Sequence, residues 1–173
     1  MFDILLIPIT KDNIKSYAKF EKCYDEKLSQ YQSRIHPYNY IVNMETNLLN
    51  WYYIVANEKY IGSIWLEKTL EIEDFATMGM FIIDSEMRGL GLGEKAICSV
   101  VKKDIMHMQI NQIILNVRSN NERAIKCYLK CGFKKIEKFE KQNGAEVIKM
   151  SYTNEQNSNL EGDLYDRSIV WRK

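Results

Sequence analysis

The sequence predicts a single α/β (α+β) domain in which strands and helices alternate along the chain. Three observations carry that prediction. Apolar runs of strand length recur between segments of helical periodicity, in the order β-α-α-β-β-β-α-β-α-β-β. Two neighbouring strand pairs are joined by short turns, at Asn57-Glu58 and Asn143-Gly144, as antiparallel hairpins are. The length, 173 residues, suffices for one domain with a real core and is short for two.

The elements follow in order. Residues 2–9 read as a strand, and Thr10 is placed to cap a helix that carries Ile14, Tyr17, Ala18, Tyr24 and Leu28 on one side. A second helix is expected over residues 41–49. Residues 51–56 and 60–68 form the first hairpin, and residues 73–83 the next strand. A helix over 93–108 buries Ile97, Val101 and Ile105. A strand at 113–117 leads into a short helix with Ser119 and Glu122 as a capping-box pair and Gly132 at its left-handed stop. Ala124, Ile125, Tyr128 and Leu129 give that helix a buried side. Residues 133–140 and 146–152 form the closing hairpin.

Between strand 73–83 and helix 93–108 lies Arg88-Gly89-Leu90-Gly91-Leu92-Gly93. Glycines let the main chain turn tightly and leave its N–H groups uncovered, beside the positive end of a helix dipole. Such a loop is built for an anion, and a phosphorylated cofactor is the expected ligand. A Walker loop would close on Gly-Lys-Ser/Thr, whereas Gly93 is followed by Glu94-Lys95-Ala96. The dinucleotide fingerprint G-x-G-x-x-G does not match glycines at alternate positions.

Arg88-x-x-Gly91-x-Gly93 resembles the pyrophosphate loop of the GCN5-related N-acetyltransferase (GNAT) family, which binds acetyl-coenzyme A (acetyl-CoA). Downstream, Asn121, Ala124, Tyr128, Gly132 and Phe133 fill a pattern similar to that family's second signature, N-x-x-A-x-x-x-Y-x-x-x-G-F. The resemblance covers about residues 2–152, with specific motifs only in 78–133. It implies a mixed, mostly antiparallel sheet of about seven strands flanked by helices. Two central strands, here 73–83 and 113–117, would splay apart to admit the pantetheine arm.

The same resemblance implies an acetyl-CoA-dependent N-acetyltransferase. Backbone groups of Phe81, Ile82 and Ile83 would hold the pantetheine and polarise the thioester, as preorganised oxyanion donors do. Amides of Arg88, Gly89, Leu90, Gly91, Leu92 and Gly93 would bind the pyrophosphate, with the Arg88 guanidinium adding charge-assisted bonds. Asn121 would contact the pantetheine or a nearby backbone group. Tyr128, protonated at neutral pH, would give its proton to the leaving thiolate. Glu94 departs from the family's usual loop, and is expected to face solvent with Lys95 compensating.

Some family members place a glutamate on the strand before the tyrosine helix, where this chain has Leu115-Asn116-Val117. Glu67, Glu71, Glu73 and Asp74 are the alternative bases, and as an acidic cluster would favour a cationic amine. Tyr31, Tyr38, Tyr40 and Trp51 are candidates for an aromatic acceptor cleft. The acceptor stays open among small amines, protein N-termini and lysines. Two rivals stay open too: a catalytically silent acetyl-CoA sensor, and an acetyltransferase acting on aminoacyl-tRNA. The net charge of +1 gives no bias toward nucleic acid, and the lysines at 134, 135, 138 and 141 make only a short run.

Residues 1–9 lack the basic flank of a signal peptide, and no apolar stretch is long enough to cross a bilayer, so a cytoplasmic enzyme is expected. Cys23, Cys98, Cys127 and Cys131 read as reduced thiols, because the two histidines complete no zinc-like spacing. No metal is expected. The domain is expected to span residues 1–152, with 153–173 as an extension that brings back Leu164, Tyr165 and Trp171. That extension adds an edge strand or contacts a second subunit in a homodimer, packs on its own domain near the acceptor cleft, or forms the true last strand after an inserted hairpin.

Overall fold

A computed structural model of the chain describes residues 3–23, 34–70 and 72–154. Tyr24, Leu28, Tyr31, Glu71 and the segment 155–173 lie outside the described residues. The question of what the C-terminal extension packs against falls there too.

The described strands are β1 (Ile4–Pro8), β2 (Leu49–Ala56), β3 (Lys59–Glu67), β4 (Phe75–Ile82), β5 (Gln112–Arg118), β6 (Lys134–Glu140) and β7 (Glu146–Thr153). They form one sheet in the order β1-β2-β3-β4-β5-β7-β6, with every neighbouring pair antiparallel except β4 and β5. The fold class is as expected. β7 pairs with β5 from Gln112↔Thr153 to Arg118↔Val147, so the last hairpin belongs to the sheet and is no insertion.

Alternation along the strands sorts the apolar side chains into two cores. Tyr52, Ile54, Ile64, Leu66 and Met78 face one way, against Ile97 and Val100 of α3 (Leu92–His107) and Ile125 and Tyr128 of α4 (Glu122–Lys130). Trp51, Tyr53, Trp65 and Phe81 face the other way. There they meet Tyr17 of a 3-10 turn (Ile14–Tyr17) and Phe20 of α1 (Ala18–Cys23).

Several local readings need correction. Thr10 does not cap α1: its amide donates to the Asn13 side chain, whose Nδ2 returns to Pro8 O, and helix begins only after that loop. The expected helix over 41–49 is a single turn, α2 (Tyr40–Asn43), because Leu49 already begins β2. Asn121 caps α4 by accepting from the Ala124 amide, while Ser119 Oγ donates to Glu146. Leu129 is 45 % exposed, so the buried side of α4 is narrower than its apolar pattern. Gly132 ends α4 at φ +89° as expected.

Candidate active site

β4 and β5 pair only over Phe75↔Gln112, Ala76↔Ile113 and Thr77↔Ile114. β4 then continues to Ile82 and β5 to Arg118 without each other. A cleft of about 950 Å³ opens where they part. It runs through the sheet: Trp65, Glu67 and Phe81 line it from one face, Met80, Cys127 and Tyr128 from the other.

The edge of β4 turned to the gap follows from its ladder with β3. Ile83 N donates to Ile61 O, at 2.8 Å, so the odd-numbered amides face β3. Beyond the last β4–β5 pair, Thr77↔Ile114, which takes up the Met78 amide, the amides of Met80 and Ile82 therefore face the gap. Of the expected Phe81–Ile83 window, Ile82 presents its amide to the cleft, and Phe81 and Ile83 direct theirs into the sheet. Phe81 still lines the cleft through its other atoms.

The glycine loop lies at one end of this gap. Gly89 and Gly91 have φ of +83° and +77°, and Gly91 is the N-cap of α3. No amide from Gly89 to Glu94 donates a backbone hydrogen bond among the described residues, and the first that does is Lys95 N, to Gly91 O at 3.1 Å. This run of free N–H groups at the N-terminus of a 16-residue helix has the geometry in which backbone amides hold anions. Gly89, Gly91, Leu92 and Gly93 line the cleft, whereas Leu90 is 47 % exposed and does not.

Arg88 has a different geometry from the expected one. Its Nε donates to Ile82 O at 2.8 Å and an Nη to Ile83 O at 2.9 Å. The guanidinium thereby ties the loop to the end of β4. Glu94 lines the cleft instead of facing solvent, and Lys95 reaches Asp3 at 3.7 Å.

Tyr128 is 7 % exposed, lines the cleft and packs on Phe133, and its hydroxyl has no hydrogen-bond partner among the described residues. Burial, with smaller effects of the Cys127 and Cys131 thiols, pushes its pKa well above the ordinary phenol range. The hydroxyl is thus held as a donor. The neighbouring Cys131 thiol lowers the pKa of the Cys127 thiol, and the same pairing with burial raises that of Cys131, whose Sγ donates to Glu94 O at 3.9 Å. Asn121 lines the cleft as well as capping α4. Asn116 lies in the opened part of β5 and offers an amide with no base.

The other end of the cleft is less acidic than expected. Glu67 is there, but it accepts from Tyr38 N at 3.0 and 3.3 Å and from Arg34 Nη1 at 3.1 Å. Glu73 is turned onto the amides of Thr69 and Leu70, and neither it nor Asp74 lines the cleft. Of the expected aromatics, Tyr38 reaches the cleft, whereas Tyr40 packs on Trp51 and Trp51 donates to Ser63 Oγ within the core. Trp65 and Arg34 take their places. Trp65 was readable from the alternation that puts it beside Glu67 on one face of β3; nothing around Arg34 in the sequence marks it.

Among the described residues, no group of three His, Cys, Asp or Glu side chains could hold a metal, and no helix is long and apolar enough to cross a membrane.

No curated protein sequence matches the chain. Among solved structures, it resembles spermidine N-acetyltransferase from Vibrio cholerae in complex with CoA and spermine. That match has TM-score 0.71 at 17 % identity, over 90 % of this chain and 98 % of the other. It also resembles aminoglycoside acetyltransferase AAC(6')-Ib in complex with coenzyme A, with TM-score 0.67 at 16 % identity, over 92 % and 99 %. These likenesses show the fold. The family model described as Acetyltransferase (GNAT) family matches residues 14–133, which include the loop, the split strands and all of α4. With both motifs in place about one cleft, the chain belongs to the GNAT acetyltransferase family.

Proposed function

We propose that the chain transfers the acetyl group of acetyl-CoA to a primary amine by direct attack. The observation that carries this reading is the row of unbonded amides from Gly89 to Glu94, opening on the same cleft as the unpartnered Tyr128 hydroxyl. Amides of Gly89, Gly91, Leu92 and Gly93 suit the pyrophosphate. Leu90 and Arg88 shape that loop. The gap-facing amides of Met80 and Ile82 suit the pantetheine and the thioester oxygen, with Phe81 and Ile83 holding the strand in register. Asn121 fixes the start of α4 and so the position of Tyr128.

In the transfer, the neutral amine attacks the thioester carbon, the N–C bond forms and the C–S bond breaks. The amine gives up a proton to solvent, and Tyr128 gives one to the departing thiolate. A similar fold in proteins named for spermidine and aminoglycoside acetylation supports an amine acceptor. Their complexes with CoA support the donor.

Thermal unfolding with acetyl-CoA, against NAD and ATP as controls, tests the donor site. At about a hundred times its dissociation constant a ligand adds roughly 2.7 kcal/mol to the native state. Selective stabilisation by acetyl-CoA is the expected result; equal or no response to the three would remove the main support.

A further inference from the structure

We infer that the acceptor is a small amine bearing a carboxylate, which Arg34 and the indole N–H of Trp65 bind at the acceptor end of the cleft. This rests on the acetyltransferase reading and names its substrate class.

Arg34 is fixed in orientation before any ligand arrives. Its Nη1 donates to Glu67 Oε2 at 3.1 Å, and its guanidinium carbon lies 3.7 Å from the Tyr38 ring centroid and 5.7 Å from that of Trp65. The side chain is only 20 % exposed. The segment that carries it is anchored by the Tyr17 hydroxyl, which donates to Ile35 O. A guanidinium has five N–H donors, and among the described residues Arg34 uses one. A half-buried, stacked fork with open donors matches a planar two-oxygen anion, and a carboxylate is the one that small amines commonly carry.

Trp65 supplies an independent sign. It lines the cleft at 1 % exposure, and its Nε1–H is buried with no hydrogen-bond partner. A buried donor without a partner is costly, and such groups in folded proteins call for an explanation. An acceptor oxygen that reaches this N–H from the cleft would satisfy it.

Charge favours this reading over a polycation at this end of the cleft, where the described carboxylate is already engaged: both oxygens of Glu67 accept from Tyr38 N and one also from Arg34. Glu73 is folded onto its own turn. Glu67 therefore acts as a positioning residue that holds Arg34 toward the ligand.

The test compares kcat/KM for amino acids, for the same amino acids as carboxamides, and for spermidine, all with acetyl-CoA. The carboxylate forms are expected to exceed their carboxamides by at least about tenfold, the scale of a charged hydrogen bond. Arg34→Gln should erase that preference, mostly through KM, and Arg34→Lys should restore part of it. Trp65→Phe should weaken the preference by several-fold. Stabilisation by acetyl-CoA, unchanged in each variant, shows that it is folded and donor-competent. Spermidine or carboxamides acetylated in preference, with Arg34→Gln indifferent, would overturn the inference and leave acetyl transfer standing. Stabilisation by acetyl-CoA with no carboxylate-bearing amine acetylated would also overturn it. A chain that neither responds to acetyl-CoA nor consumes it would fail the acetyltransferase reading itself.

Discussion

Gly79 lies beneath the indole of Trp65: a β-carbon at position 79 would fall 2.0 Å from Cζ2 of that ring. The two residues are register partners across β3 and β4, and both line the cleft. Close approach of backbone to ring is what lets the indole occupy the acceptor end without pushing β4 off the ladder. The site's shape thus depends on a missing side chain.

Gly79→Ala should accordingly cost stability through overpacking, by about 1–3 kcal/mol. Thermal unfolding should show a loss of several degrees, and the acceptor KM should rise more than that for acetyl-CoA. An unchanged melting temperature would mean that the ring has room to move.

Tyr128→Phe removes a hydroxyl that has no partner among the described residues, so little stability should be lost. General acid catalysis contributes about 10²- to 10⁴-fold, and kcat should fall by that order. Stabilisation by acetyl-CoA should stay. A variant with full kcat would make Tyr128 a packing residue.

Gly91→Ala meets no atom within 4 Å, so its penalty is conformational alone. A non-glycine residue at φ +77° costs about 1–2 kcal/mol, and relief by turning the loop would misdirect the free amides. Weaker acetyl-CoA binding, read as a smaller thermal shift, is the expected outcome.

Asp104 of α3 is 1 % exposed, accepts from the Tyr52 hydroxyl at 3.0 Å, and leaves its Oδ2 without a partner. Burial raises its pKa above the ordinary carboxylate range, outweighing the lowering effects of Tyr52, Lys103, His107 and Asn50. With the folded value above the unfolded one, the native state holds the proton more tightly. Stability from this group is then greatest below the unfolded pKa and falls as pH rises toward the folded one. Asp104→Asn, which keeps an acceptor for Tyr52, should raise the melting temperature at pH 7. The gain should shrink toward pH 4.

The two motifs were legible because local chemistry dictates them. The glycines at 89 and 91 serve positive φ, and the stop of α4 at Gly132 lies within its own few residues, whereas its cap is Asn121 and not the expected Ser119. The order of elements along the chain followed from hairpins and periodicity, and the mixed sheet from the family resemblance. The other end of the cleft was legible only in part: Tyr38 and Glu67 were read as candidates, but their meeting with Arg34 and Trp65 arises through tertiary contacts across about thirty positions of chain. Arg88 illustrates the same limit. Its place in the motif was plain, but that its guanidinium closes on Ile82 and Ile83 depends on how the loop returns to β4. Helix 41–49 failed because Ile41 and Val42 stay exposed, giving it no buried side, and Leu49 already begins β2.

The most direct test of acetyl transfer is release of free CoA thiol from acetyl-CoA with and without an amine, with mass spectrometry of the amine. The expected result is amine-dependent release, one acetyl group gained per thiol, and its loss in Tyr128→Phe. Tight acetyl-CoA binding with no amine-dependent thiol release across carboxylate-bearing, neutral and polycationic amines would contradict it, and would favour a silent donor-binding module.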